Sequence, residues 1–314
     1  MAQPPAKPIK KKRFRISKDD LTLHIMALPA LVVLLLFSYL PMGGIIIAFK
    51  KLNVAKGIFA SDWIGFKNFE FLFASTDAWN ITRNTVVYNV IFILLNTFLS
   101  ILLAIMISEL HSKKLAKTLQ TFFIMPHFLS MAVVSIIVFA FLSARSGYLN
   151  GLLFDLFGKQ PVDWYSDRTW WPLFFVVISA WKGVGYNSIV YLAAITGISK
   201  EFYEAAVIDG ATKVQQAWYI TLPHLKTMMT ILLLMALGGI FRGDFGLFYL
   251  VPQNNGMLYP VTDVIDTYVY RAMTELNNPG MAAAAGLYQS LVGFILVVTM
   301  NKVISKIDAD SALF

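Results

Sequence analysis

Six stretches of this chain are almost unbroken runs of apolar side chains, at approximately 25–49, 85–108, 121–142, 171–196, 227–250 and 281–301. A helix needs roughly 20 mostly apolar residues to cross about 30 Å of hydrocarbon, and each run meets that length. The pattern predicts an all-α, polytopic membrane protein with six transmembrane helices. The first run, Ile25–Phe49, is 25 residues without a charge. A signal peptide carries only about 7–15 apolar residues before a small-residue cleavage site, so this run reads as a retained spanning helix. Pro29, Pro41 and Pro126 are expected to kink helices one and three, which membrane helices tolerate. Gly286 and Gly293 read as close-packing positions in helix six.

Between the fourth and fifth runs lies a stretch of another character, "YEAAVIDGATKVQQAWYITLPHL" at 203–225. Glu201–Asp209 has helical character, with Phe202, Ala205, Ala206 and Ile208 forming an apolar and small surface. Ser199 is placed to cap it, although Phe202 rather than Glu stands three residues on. Gly210 permits a backbone bend that a side chain resists. Pro223 either closes the following stretch, Ala211–Ile220, or opens helix five. The expected element is a short helix–turn–helix on a membrane surface. Its small residues admit the backbone of another protein, with Glu204 and Asp209 setting register by charged hydrogen bonds. The competing reading is an amphipathic loop resting on lipid.

Composition narrows the choice. Apolar residues make up 57% of the 314 and charged residues 14%, which leaves little chain for a soluble core. There is no cysteine, and the four histidines are scattered, so neither a disulfide nor a metal site is expected. The net charge of +8 raises nucleic-acid binding, but seven of the 26 Lys and Arg fall in the first 18 residues, before the first apolar run. That is the signature of positive-inside anchoring rather than of a basic face with stacking aromatics. With the N-terminus in the cytoplasm, the inner segments 1–24, 109–120, 197–226 and 302–314 carry 15 Lys/Arg. The outer segments 50–84, 143–170 and 251–280 carry nine. Both termini and the 201–224 segment are therefore expected on the cytoplasmic side, flanking a transmembrane domain over 25–301. Trp63, Trp79, Trp164 and Trp170 in the outer segments read as interfacial anchors.

Ionisable residues inside spanning helices are costly and usually mark a cavity. Lys182 lies about 12 residues, or ~18 Å, into helix four, with Trp181, Tyr186 and Asn187 beside it. Arg242 and Asp244 lie about 24 Å along helix five, among Gly238, Gly239, Gly243 and Gly246, next to Phe245 and Tyr249. Glycine weakens a helix, and broken helices at membrane depth are where transporters hold solutes. Aromatic faces and polar groups together suit a sugar. The other reading makes Lys182, Arg242 and Asp244 an interhelical ion-pair network. No catalytic cluster stands out: paired carboxylates at helix spacing, HExxH and a phosphate loop are all missing. A polytopic membrane enzyme is thereby disfavoured.

One pattern goes further. Glu204-Ala205-Ala206, Gly210, then Ile220-x-Leu222-Pro223 resembles the EAA loop of permease subunits in binding-protein-dependent ABC importers, with every fixed position and spacing present. The likeness extends over about 20–305 and is nearest to maltose-type carbohydrate permeases, especially those for oligo- or polysaccharides. The segment 243–271, "GDFGLFYLVPQNNGMLYPVTDVIDTYVYR", is also similar to that subgroup. The resemblance implies a type I importer fold in a bacterial cytoplasmic membrane, embedded in lipid. It implies a second permease subunit, two cytoplasmic ATPase subunits that bind ATP and Mg, an extracytoplasmic binding protein and a carbohydrate cargo. Peptide, polyamine or anion cargo is the alternative. Hydrolysis is expected in trans, with no cofactor in this chain.

Overall fold

The computed structural model describes residues 18–71 and 76–307. The basic run through Arg15 and the tail beyond residue 307 lie outside the described residues. The chain divides into two units, one through Ile46 and one from Ile47. In the first unit, α1 (Lys18–Leu34) holds Pro29 and passes into a π-helical turn at Leu35–Tyr39 and then a 3-10 stretch from Leu40.

The second unit begins with a small hairpin. Strand β1 (Lys50–Lys51) pairs antiparallel with β2 (Asp62–Trp63) around α2 (Gly57–Ala60). Lys50 is buried and donates its Nζ to the carbonyls of Ile58 and Phe59, at 3.3 and 2.7 Å. This accounts for one of the nine Lys/Arg of the outer segments: it caps backbone rather than marking a membrane side.

Three long straight helices frame the rest: α3 (Thr76–Ser108), α7 (Trp171–Thr196) and α13 (Pro279–Ile307). The fourth apolar run coincides with α7, while α3 starts at Thr76 rather than 85. The third run is not one continuous helix. It is α4 (Lys113–Ile124), a 3-10 turn at Met125–Phe128, and α5 (Met131–Leu142), with the two arms bent by 96°. Pro126 and the capping hydroxyl of Ser130 separate them, and most of the expected inner loop 109–120 is the amphipathic start of α4.

The fifth run is also corrected. Its apolar span begins at Lys213, with α9 (Lys213–Gln216), a π-turn at Ala217–Thr221 and α10 (Leu222–Gly238), which Pro223 opens. It stops at Gly238, and helix resumes only as a π-turn at Gly246–Leu250. The short helices α6 (Tyr148–Phe157) and α8 (Lys200–Ile208) precede α9. Two more, α11 (Tyr259–Thr262) and α12 (Ile265–Thr274), occupy the expected loop 251–280. Among the described residues, five helices are long and apolar enough to span a membrane, or six with the bent pair counted as one span.

The buried side chains form three clusters. Ile101, Tyr191 and Leu225 join α3, α7 and α10 at one end. Tyr88, Phe175, Phe248 and Val264 join α3 and α7 to the chain after the break at the other. Ile81, Ile240, Ile265 and Ala285 join α3, the break, α12 and α13. Gly185 lets α7 approach α4, since a Cβ there would lie 1.9 Å from the Phe123 carbonyl oxygen. Gly286 and Gly293 do not serve packing within the chain: a Cβ at either meets nothing within 4 Å. Trp164 is no interfacial anchor. It is buried and donates its indole N–H to Asn150, whose side chain also holds Val162 and the Ser143 carbonyl.

Candidate functional site

The break at 239–245 exposes backbone groups that an intact helix would pair, and in a membrane each unpaired group is expensive. Side chains from three other elements pair them. Asn89 of α3 donates to the carbonyls of Ile240 and Arg242, at 2.9 and 3.1 Å. Gln289 of α13 donates to the carbonyl of Phe241 and, at 2.9 Å, to Asp266 Oδ2. That same carboxylate oxygen accepts the N–H of Gly243. A Cβ on Gly243 would lie 2.7 Å from Val264 Cγ2, so only glycine brings this backbone against α12.

The break presents two charges. Arg242 and Asp244 are both exposed. Asp244 Oδ1 accepts the N–H of Leu247 at 3.1 Å, capping the π-turn that follows. Phe245 and Tyr249 stack on one face of that turn, 4.8 Å apart and 15° from parallel. Tyr270 of α12 completes a three-ring group, 4.9 Å from Phe245 and 5.0 Å from Tyr249.

Lys182 belongs elsewhere. Its Nζ donates to the carbonyls of Pro126, His127 and Leu129, where α4 ends and the 96° bend begins. A cation suits the carbonyl end of a helix. The ion pairs among the described residues are Lys56–Asp62, Lys213–Glu109 and Arg271–Asp263. Lys182, Arg242 and Asp244 enter none, so the ion-pair network does not form. Tyr186 stacks on His127 at 4.4 Å, Trp181 is exposed and Asn187 is half-buried. The eight pathway candidates thus fall into two groups, four on α7 and four at the break of the fifth span. Lys182→Met is expected to lower the melting temperature of the purified protein, because it strips the donor from three carbonyls at a bend. Lys182→Arg should retain most of the stability.

The polar segment before the fifth span forms as the sequence predicts at its start. Ser199 accepts the N–H of Glu201, α8 runs to Ile208, and Gly210 turns the chain with φ +79°. Thr212 and Gln215 form a reciprocal capping box that starts α9. Unlike a free helix–turn–helix, α9 is the first turn of the span itself. Tyr203 bonds Thr221 at 3.0 Å and Phe202 packs on His224, which hold α8 to the base of that span. Glu204, Ala205, Asp209 and Gly210 are exposed. Beside them Ile208 is 86% and Val214 78% exposed. Both apolar side chains therefore stand open at the surface of this segment. Ile220 and Leu222 are half-buried, within the π-turn and at the start of α10.

Four residues of these sites went unnoticed in the sequence: Asn89, Asp266, Tyr270 and Gln289. Asn89 and Gln289 had a signal, being polar side chains inside apolar runs.

Residues 96–308 match the model of the binding-protein-dependent transport system inner membrane component. The chain is 33% identical to Protein LplB of Bacillus subtilis, over 93% of this chain and 91% of that one. It is also 33% identical to the polygalacturonan/rhamnogalacturonan transport system permease protein YteP of the same organism, over 90% and 88%. Among solved structures it resembles a chain of a bacterial ABC transporter involved in import of the acidic polysaccharide alginate. There the TM-score is 0.84 and the identity 34%, covering 93% of this chain and 97% of that one.

Proposed function

This chain belongs to the binding-protein-dependent transport system inner membrane components, and on that premise we propose that it is one of two permease subunits of an ATP-driven importer of an oligosaccharide. It is a transport subunit and not an enzyme. A binding protein on the outer face delivers the sugar. Two cytoplasmic ATPase subunits bind ATP and Mg and dock on the segment around Glu204–Gly210. One observation carries this reading: a short capped helix, a left-handed Gly210 and a rim of exposed apolar side chains at the root of a spanning helix. An element fixed to a span at its base and free on its outer surface transmits a push. The related proteins named for galacturonan and alginate transport support a polysaccharide-derived cargo.

Co-expression with a second permease and an ATPase should yield one four-subunit complex whose ATP turnover rises when sugar-loaded binding protein is added. Purification of this chain as a working transporter without any ATPase would contradict the reading.

The orientation is proposed from charge, with both termini cytoplasmic. The Lys213–Glu109 contact of 2.8 Å supports it, since it joins two segments assigned to the same side. The chain has no cysteine, so single ones report cleanly. Cysteines at Ser112 and Thr212 should resist a membrane-impermeant thiol reagent in intact cells, and one at Ser166 should react. Labelling at 212 from outside would reverse the topology.

A further inference from the structure

The segment 243–271 contains more than the break. Asp266 and Tyr270 stand four residues apart on α12 and so share one face. That face meets the broken span twice: Asp266 accepts the N–H of Gly243, and Tyr270 closes on Phe245 and Tyr249. The opposite face, with Ile265, Tyr268 and Ala272, is buried against Ile81, Ile240 and Ala285. The start of α12 and the α11 turn leading into it are also sewn to α3. Asn84 donates to the carbonyls of Pro260 and Asp263, Tyr88 donates to Val261, and Thr85 accepts the N–H of Ile265. Arg271 pairs with Asp263 and lies 3.9 Å over the Tyr259 ring. Within this fixed frame Tyr270 is still 41% exposed, and the break whose Phe245 it packs on also carries the exposed Arg242 and Asp244.

We propose that α12 is part of the solute site: Tyr270 is a cargo-contacting residue, and Asp266 is the positioning residue that holds the break against it. The inference rests on the carbohydrate reading above. A pyranose ring offers a C–H face and a rim of hydroxyls. Three aromatic rings give an apolar platform for the first, and Arg242 and Asp244 give a donor and an acceptor for the second. Asp266 touches no cargo. Its oxygen fixes Gly243 and Gln289, and through them the direction in which residues 242–249 point.

Two measurements on the assembled complex with its ATPase and binding protein test this. The first needs no cargo. Cysteines replacing Tyr249 and Tyr270 should react with a water-soluble maleimide in at least one nucleotide state, and a cysteine replacing buried Tyr268 should not. No reaction at 270 in any state overturns the proposal. The second uses radiolabelled maltotriose and trigalacturonate, whichever the wild type imports, at saturating binding protein. Tyr270→Ala should cut import at least tenfold with ATP turnover within twofold, so that ATP consumed per sugar rises at least about fivefold. Tyr270→Phe should import normally. Asp266→Leu should match Tyr270→Ala, while Asp266→Asn, which keeps an acceptor for both N–H groups, should stay near wild type. A parallel fall of import and ATP turnover in Tyr270→Ala would make the residue merely structural and overturn the proposal. Import of neither probe by the wild type would instead count against the carbohydrate reading, and the labelling result then stands alone on α12.

Discussion

A permease carrying Glu204→Lys together with Gly210→Val is expected to reach the membrane and to lose its ATPase subunits, with import falling below one part in ten of normal. The two changes act on one surface by different means. Gly210 holds φ +79°, and a β-branched residue there costs about 1–2 kcal/mol of backbone strain. A Cβ at Gly210 meets nothing within 4 Å among the described residues, so valine does not disturb the core. The strain falls on the turn that aims α8, which is otherwise held by Tyr203 and Phe202. Glu204 is exposed, so lysine in its place leaves the fold intact and reverses the charge offered to a partner. The check is the stoichiometry of the complex purified through a tag on the permease. Normal ATPase content and normal import would remove this segment from the coupling path.

The second large effect is expected at the break. Asn89→Leu with Gln289→Leu removes the amide donors from the carbonyls of Ile240, Phe241 and Arg242. A buried acceptor left without a donor costs about 1–3 kcal/mol; the bonds to Ile240 and Phe241 are part-buried and carry most of the loss, while the bond to Arg242 is exposed. The double variant should assemble poorly and melt well below the wild type in detergent, with each single variant between. An unchanged melting temperature would mean that water replaces both amides, which a hydrated cavity allows.

These two sites differ in how far they could be read without coordinates. The segment proposed for coupling is local: the cap at Ser199, the turn at Gly210 and the proline at 223 each act within four residues and were legible, whereas the Thr212–Gln215 capping box that starts the span at α9 was not read. The spanning helices were legible wherever apolar length alone decides, as in α7, whose limits match. The breaks were legible only as weak points. Gly238, Gly239 and Gly243 marked the fifth span, and Pro126 marked the third, yet neither shows how sharply a helix turns. The 96° bend depends on Lys182, 53 residues beyond Leu129 in the chain, reaching back to its carbonyls. The break depends on Asn89, Asp266 and Gln289, supplied by three separate elements. The helix α12 reads as a loop because Asp266 and Thr267, with Asp263 just before the helix, turn inward to pair buried groups. The ion-pair network failed for the same reason: depth along a helix places charges at one level but does not say which face they take.

The central claim is that this chain carries sugar inward under the control of a partner ATPase. Its most direct test is uptake of labelled oligosaccharide into proteoliposomes containing the purified complex, with ATP enclosed and loaded binding protein on the other side of the bilayer. Accumulation above the external concentration is expected, requiring both ATP and binding protein and vanishing with Glu204→Lys and Gly210→Val. Uptake that proceeds equally without ATP, or equally in that double variant, would contradict it.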